Sequence, residues 1–187
     1  MLVGIMGKMG SGKTLSMSIL AEYLSKATGA PLRANYTLQG ATPVESMNDV
    51  VEAESAIFCF DEMWLSMDSR LWKDNVRLTQ WVNQTRKKKM IVFYTTQHIR
   101  QIELRARNAT DILIVAEKKP EGIWLTFIDY QWKTIGKRFL INKPENFYSL
   151  YNTYEVLKPL QWTKKKGEYN GNEYAYQNRG VRSKRSY

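Results

Sequence analysis

Eight consecutive residues near the start of the chain, Gly7-Lys8-Met9-Gly10-Ser11-Gly12-Lys13-Thr14, satisfy the phosphate-loop pattern G-x-x-x-x-G-K-[ST] at every fixed position. Gly7, Gly10 and Gly12 allow positive φ and close backbone approach. Successive N–H groups through Lys8, Met9 and Ser11 can then point inward around phosphate oxygens at a helix N-terminus. The Lys13 ammonium would neutralise the β- and γ-phosphates of ATP. The Thr14 hydroxyl is a hard oxygen donor suited to the Mg²⁺ that bridges them. A second acidic site closes the apolar run Ala56-Ile57-Phe58-Cys59-Phe60. There Asp61 would hold the Mg²⁺ shell, often through water, and Glu62 could polarise a water for in-line attack on the γ-phosphate.

Two further groups are weaker candidates. Gln97 ends the apolar run that starts at Met90 and could hydrogen-bond the γ-phosphate or the attacking water, although a polar residue closing a strand requires no function. Arg105 and Arg107 lie on a surface-prone helix end, where a guanidinium could reach a phosphate across a subunit boundary. The competing reading is an ion pair within the chain, for instance Arg107 with Asp111. The lone His98 reads as structural, and the sequence holds neither an internal repeat nor a metal-ligand cluster.

These side chains can cooperate only if neighbouring strands end at them. Leu2 to Met6 is a strand-length apolar run before the loop. Leu15, Ile19, Leu20, Tyr23 and Leu24 recur at helical spacing after it, as far as about Thr28, where Gly29 and Pro31 end the helix. A strand fits Leu32 to Tyr36. Thr42-Pro43-Val44-Glu45 reads as an N-cap, a proline in the first turn and a capping-box glutamate, so a short helix is predicted from there through Met47, Val50 and Val51. Ala56 to Phe60 reads as a central strand buried on both faces. A helix is predicted from Ser69 to Lys88, with Leu71, Leu78, Trp81, Val82 and Thr85 inward and Arg86 to Lys89 at its dipole's negative end. Met90 to Thr95 and Ile112 to Ala116 read as strands, separated by a short helix with Ile99, Ile102 and Leu104. The alternation predicts an α/β fold, a mainly parallel sheet covered by helices, whose ligands bind at the carboxyl ends of the strands. Residues 123–141 read as an antiparallel extension, with Tyr148 to Leu157 expected to cover that edge.

The 187 residues, 43% apolar and 12% aromatic, suit one domain over residues 1–157 and a basic, flexible tail over 158–187. The absence of an 18-residue apolar run or a signal-peptide pattern predicts a soluble intracellular protein, and the single Cys59 a core position without a disulfide. A net charge of +10 predicts a polyanionic partner: nucleic acid, an acidic membrane surface or an acidic protein. Residues 158–187 carry eight Lys/Arg against two acids, +6 of the total, which suits either a solvated tail or nucleic-acid contact.

Taken together, Gly7 to Thr14, Asp61-Glu62, Asp68-Ser69-Arg70, Thr96-Gln97 and Arg105 to Asp111 resemble the FtsK/HerA superfamily of DNA-pumping ATPases. Within it the likeness is to the genome-packaging ATPases of internal-membrane double-stranded DNA viruses and to zonula occludens toxin-like proteins of filamentous phages. It spans roughly residues 1–155, including Tyr151-Asn152-Thr153-Tyr154-Glu155, similar to a Tyr-Asp-Thr segment there but with Asn152 where Asp is common. The resemblance implies a P-loop NTPase fold of RecA/ASCE type and a homo-oligomeric ring, a hexamer or similar. It also implies an arginine finger acting in trans and double-stranded DNA in a central pore, for which Lys73, Arg77 and the loop from Met63 to Trp72 are candidates. The expected activity is ATP-driven packaging of viral DNA into a preformed capsid, in the host cytoplasm or on the virion, with capsid or internal-membrane proteins as further partners. The alternatives are a phage assembly or secretion ATPase, whose relatives carry a transmembrane helix this chain lacks, a small-molecule P-loop kinase, and a non-enzymatic DNA-binding adaptor.

Overall fold

The apolar run before the phosphate loop forms β1 (Leu2–Met6), and the rest of the sheet is placed around it. The computed structural model describes residues 1–63, 81–82, 84–102, 104–152 and 154–160. After β1 come α1 (Lys13–Thr28), β2 (Leu32–Ala34), β3 (Thr42–Pro43), α2 (Met47–Glu52) and β4 (Ile57–Phe60). Next are β5 (Ile91–Thr96), α3 (Leu104–Asn108), β6 (Ile112–Lys119), β7 (Gly122–Asp129) and β8 (Thr134–Asn142), with 3-10 turns at Ile99–Gln101 and Pro144–Leu150. The eight strands lie in the order β3-β2-β4-β5-β1-β6-β7-β8, parallel as far as β6 and antiparallel for the last two. This is a mixed α/β sheet, mainly parallel and covered by helices, with the antiparallel extension where the sequence places it.

The apolar runs become central strands because both faces of the sheet are covered. On one face Leu2, Phe58, Phe60, Val92 and Tyr94 pack with Val50 of α2, Trp81, Ile102 and Ala106 of α3. On the other, Val3, Ile5, Ile57, Cys59 and Phe93 pack under Leu15, Met17 and Ala21 of α1. Every residue of β4 is buried, hence a strand with no polar alternation. In β1, Gly4 is required by the neighbouring strand. A Cβ there would stand 2.6 Å from the Tyr94 hydroxyl, because the Tyr94 side chain lies against β1 and bonds Thr110 Oγ1 at 2.7 Å.

Several local expectations are corrected. The buried side of α1 is Leu15, Ser16, Met17, Ser18 and Ala21, whereas Tyr23 is exposed and Ile19, Leu20 and Leu24 are half-buried. Small residues let the helix sit close on the sheet, and Ser16 and Ser18 satisfy their hydroxyls on the Gly12 and Thr14 carbonyls. Thr42-Pro43 does not start a helix. It is a two-residue edge strand, where a proline is tolerated. The helix begins at Met47, capped by Ser46 with Asp49 as its reciprocal partner, so the capping box is real but displaced. Residues 81–82 and 84 are helical, yet Arg86 to Lys89 form a turn rather than a helix end. Arg86 pairs with Asp111 and Lys88 bonds the Val51 carbonyl. The remainder of the helix predicted from Ser69, with Asp68-Ser69-Arg70, Lys73 and Arg77, lies outside the described residues, as do residues 161–187 of the tail. No helix among the described residues is long and apolar enough to cross a membrane.

Candidate active site

Sheet order decides which side chains meet. β5 lies between β1 and β4, with Met6 opposite Thr96 and Phe60 opposite Tyr94, so the loop after β1, the acids after β4 and the polar end of β5 emerge side by side. They surround a cleft of about 330 Å³ whose lining includes Lys13, Thr14, Asp61, Glu62, Thr95 and Gln97. The loop is shaped by its packing. Gly12 has φ 87°, and a Cβ on it would stand 2.3 Å from Ile123 of β7, so this position admits only glycine.

Thr14 Oγ1 donates to Asp61 at 3.0 Å from each carboxylate oxygen. The Asp61 carboxylate also accepts from the Thr95 hydroxyl, which in turn accepts the Glu62 N–H at 2.9 Å. One β5 side chain thus holds the Asp61 carboxylate and the Glu62 backbone. The Asp61 backbone is clamped by the Asn35 amide, whose Oδ1 accepts the Asp61 N–H at 2.8 Å while its Nδ2 donates to the Asp61 carbonyl at 3.0 Å. Glu62 itself has φ 49°, a left-handed conformation that a glutamate adopts only when its surroundings hold it there. Lys13 Nζ donates to the Lys8 carbonyl at 2.9 Å. Burial in the loop pushes the Lys13 pKa below its ordinary value, opposed by the Asp61 and Glu62 carboxylates.

A second cleft, about 580 Å³, opens on the other side of the loop between Gly7 to Ser11 and the end of β6, Val115 to Lys119. Ser11 is buried at its edge with an Oγ that has no hydrogen-bond partner among the described residues. A buried hydroxyl without a hydrogen bond is costly, and a ligand oxygen would satisfy it. The two clefts together give an elongated ligand room on both sides of the loop. The donor set also fits Mg²⁺. Thr14 and Asp61 supply hard oxygens in contact, and among the described residues no group of three or more His, Cys, Asp or Glu forms a cage, which leaves positions for water and phosphate.

Of the candidates from sequence, Lys13, Thr14, Asp61, Glu62 and Gln97 are brought together, whereas Arg105 and Arg107 are not. Both sit on α3, after β5 has ended at the cleft and before β6 begins at the opposite edge of the sheet. Arg107 is half-buried and near enough to act electrostatically on the Tyr94 hydroxyl, and Asp111, its suggested partner, pairs with Arg86. His98 is a cap: its Nδ1 accepts the Arg100 N–H at 3.1 Å, which fixes the turn that presents Gln97. Sequence reasoning missed Asn35 and Thr95. A polar residue just past β2 or within β5 becomes informative only once β2 is known to pair with β4, and β4 with β5. It also misplaced the segment after β8. This segment does not cover the antiparallel edge; it crosses α1, where Phe147, Leu150, Tyr151 and Leu157 join the core on that face, and ends at the cleft with Glu155, Val156 and Leu157.

No protein-family model matches the chain, and no curated protein matches it in sequence. Solved structures do match in fold. The N-terminal domain of zonular occludens toxin from Neisseria meningitidis is 17% identical, with a TM-score of 0.56 over 81% of this chain and 98% of that one. B204, the DNA-packaging ATPase from Sulfolobus Turreted Icosahedral Virus, is 13% identical, with a TM-score of 0.57 over 75% and 98%. The genome packaging NTPase B204 from Sulfolobus turreted icosahedral virus 2 in complex with AMPPCP is 12% identical, with a TM-score of 0.57 over 76% and 98%. The chain shares the fold of these proteins, and the resemblance read from its motifs is matched by its architecture.

Proposed function

We propose that this protein binds and hydrolyses ATP, and that it uses hydrolysis to move viral double-stranded DNA into a preformed capsid as a homo-oligomeric ring. The observation that carries the ATPase part is the contact of Thr14 with Asp61, with Lys13 and Glu62 in the same cleft. The phosphates would lie along the loop from Gly7 to Thr14, the γ-phosphate in the Asp61 cleft and the nucleoside in the Ser11 cleft. Lys13 would leave the Lys8 carbonyl for phosphate oxygens, and its loss of solvent on entering the loop would be offset by phosphate charge. Thr14 and Asp61 would hold Mg²⁺, which when bound neutralises charge on the β- and γ-phosphates. Glu62 would orient the attacking water, and its backbone N–H held on Thr95 keeps it beside the cleft, which suits that task better than transfer to a metabolite. The DNA part rests on the +10 charge and on the likeness to packaging ATPases. The fold of the zonular occludens toxin domain favours a second reading, an ATPase of phage assembly or secretion.

The test is ATP hydrolysis by the full chain with and without duplex DNA. Lys13→Ala should abolish nucleotide binding, and Glu62→Gln should keep binding but lower turnover by ~10² or more, as loss of a water-positioning group does. Stimulation by duplex DNA supports translocation; hydrolysis indifferent to DNA favours the assembly reading. Full turnover in Glu62→Gln would reject that residue's role.

A further inference from the structure

The segment that ends at the cleft is held there by a short series of contacts far apart in sequence. The Gln39 N–H donates to the Leu150 carbonyl at 2.8 Å, and Leu38 bridges Tyr151 in antiparallel register. The Tyr151 ring stands edge-on to Tyr36 with centroids 6.2 Å apart. Four residues on, Glu155 Oε2 accepts the Thr37 N–H at 2.6 Å, and Glu155, Val156 and Leu157 face Lys13, Thr14 and Glu62 across the cleft. Tyr151 and Leu157 pack on the core, but Tyr154 and Val156 are 92% and 88% exposed, so packing anchors this segment at only some of its positions. Between those two anchors the tie at the cleft is the Glu155 carboxylate on the Thr37 amide.

We propose that residues 151–152 and 154–157 form a strap belonging to the nucleotide site, latched by Glu155 on the Thr37 N–H, with Glu155 as its positioning residue. The proposal rests on the reading of this cleft as the phosphate end of that site. A ligand held by Lys13 and Thr14 is then enclosed from the strap side, and it leaves when the latch opens. Glu155 acts through hydrogen-bond geometry. Among the described residues that line the cleft, Lys13 is the one cation and Asp61 and Glu62 are already acidic, so a third carboxylate is tolerable beside phosphate only when committed elsewhere. A strap exposed at Tyr154 and Val156 opens at lower cost than one packed along its whole length, which suits a step repeated at each turnover.

The experiment measures release of a fluorescent ADP, with Mg²⁺, from the full chain by stopped flow, together with hydrogen exchange at the Thr37 amide. Glu155→Ala should speed release by about 10-fold, the effect of losing one charged hydrogen bond. Glu155→Gln, whose amide oxygen still accepts from Thr37, should stay within about 3-fold of the unaltered protein. In the unaltered protein Mg²⁺ and ADP should slow exchange of the Thr37 amide, a readout that needs no variant to fold. Unchanged release in Glu155→Ala, equal acceleration in both variants, or no protection of Thr37 while ADP is bound would each overturn the latch. An unaltered chain that binds no ADP would instead overturn the nucleotide-site reading, and the strap with it.

Discussion

Three acids of a different kind, Cys59, Tyr36 and Tyr94, lie in the core away from any catalytic role. Tyr36 and Ser18 share a hydrogen bond of 2.9 Å, and Tyr94 bonds Thr110 at 2.7 Å. Burial pushes the pKa of all three up from ordinary values of 9.0 for the thiol and 10.0 for the phenols. The folded protein therefore keeps protons that the unfolded chain releases. Stability present below pH 9.0 should be lost as pH rises through 9.0 and then 10.0, each group adding up to about 1.4 kcal/mol per pH unit. Urea midpoints between about pH 8 and 11 check this, and Cys59→Ala should flatten the first part of the fall. Midpoints constant across that range would mean these groups reach water in the folded state.

At the scale of elements, β1 and β5 are fitted to one another through the pair Gly4 and Tyr94. Gly4→Ala should destabilise the protein by about 1–3 kcal/mol, because the phenol must move off its Thr110 bond or β1 must shift against β5. Thermal unfolding of Gly4→Ala and of Gly4→Ala with Tyr94→Phe tests the cause. Losing the hydroxyl should recover part of the deficit, and no recovery would place the clash elsewhere. The elements also show which information was local. β1, the loop, α1 and β4 were legible because each carries its own signal: an apolar run, fixed glycines, a helical period and an acidic end. The start of α2 was misread because Thr42-Pro43-Val44-Glu45 and Ser46-Met47-Asn48-Asp49 both offer caps; the pairing of Thr42 and Pro43 with β2 selects the second. The Asn35 clamp, the double role of Thr95 and the course of the chain after β8 depend on contacts between residues 26 to 118 positions apart, which no local pattern encodes.

For the whole molecule, the position of α3 bears on the proposed ring. Arg105 and Arg107 lie away from the cleft of their own chain, so a role in hydrolysis requires them to serve a neighbour's. Arg107→Ala should lower turnover by ~10³ or more with little change in nucleotide affinity. Mixing Arg107→Ala with Lys13→Ala, each inactive alone, should restore part of the activity, since some interfaces then pair an intact loop with an intact arginine. Normal hydrolysis by assembled Arg107→Ala rings on DNA would reject this residue and leave Arg105 to be tested.

The last strand of the sheet, β8, has a second consequence, for how the protein behaves in a concentrated solution. Among the described residues nothing pairs with its outer side over nine residues, and Ile135, Phe139 and Leu140 are exposed along it. Such a border could template a strand from another molecule. Lys133, Lys137 and Lys143 are spaced along the same stretch of chain, and two copies approaching edge to edge would bring these like charges together. That repulsion reaches only about 8 Å at physiological ionic strength and about 3 Å in molar salt. Molar salt therefore removes the barrier that keeps these edges apart, and the protein should associate more readily in concentrated salt than at low ionic strength, which light scattering across a salt series checks.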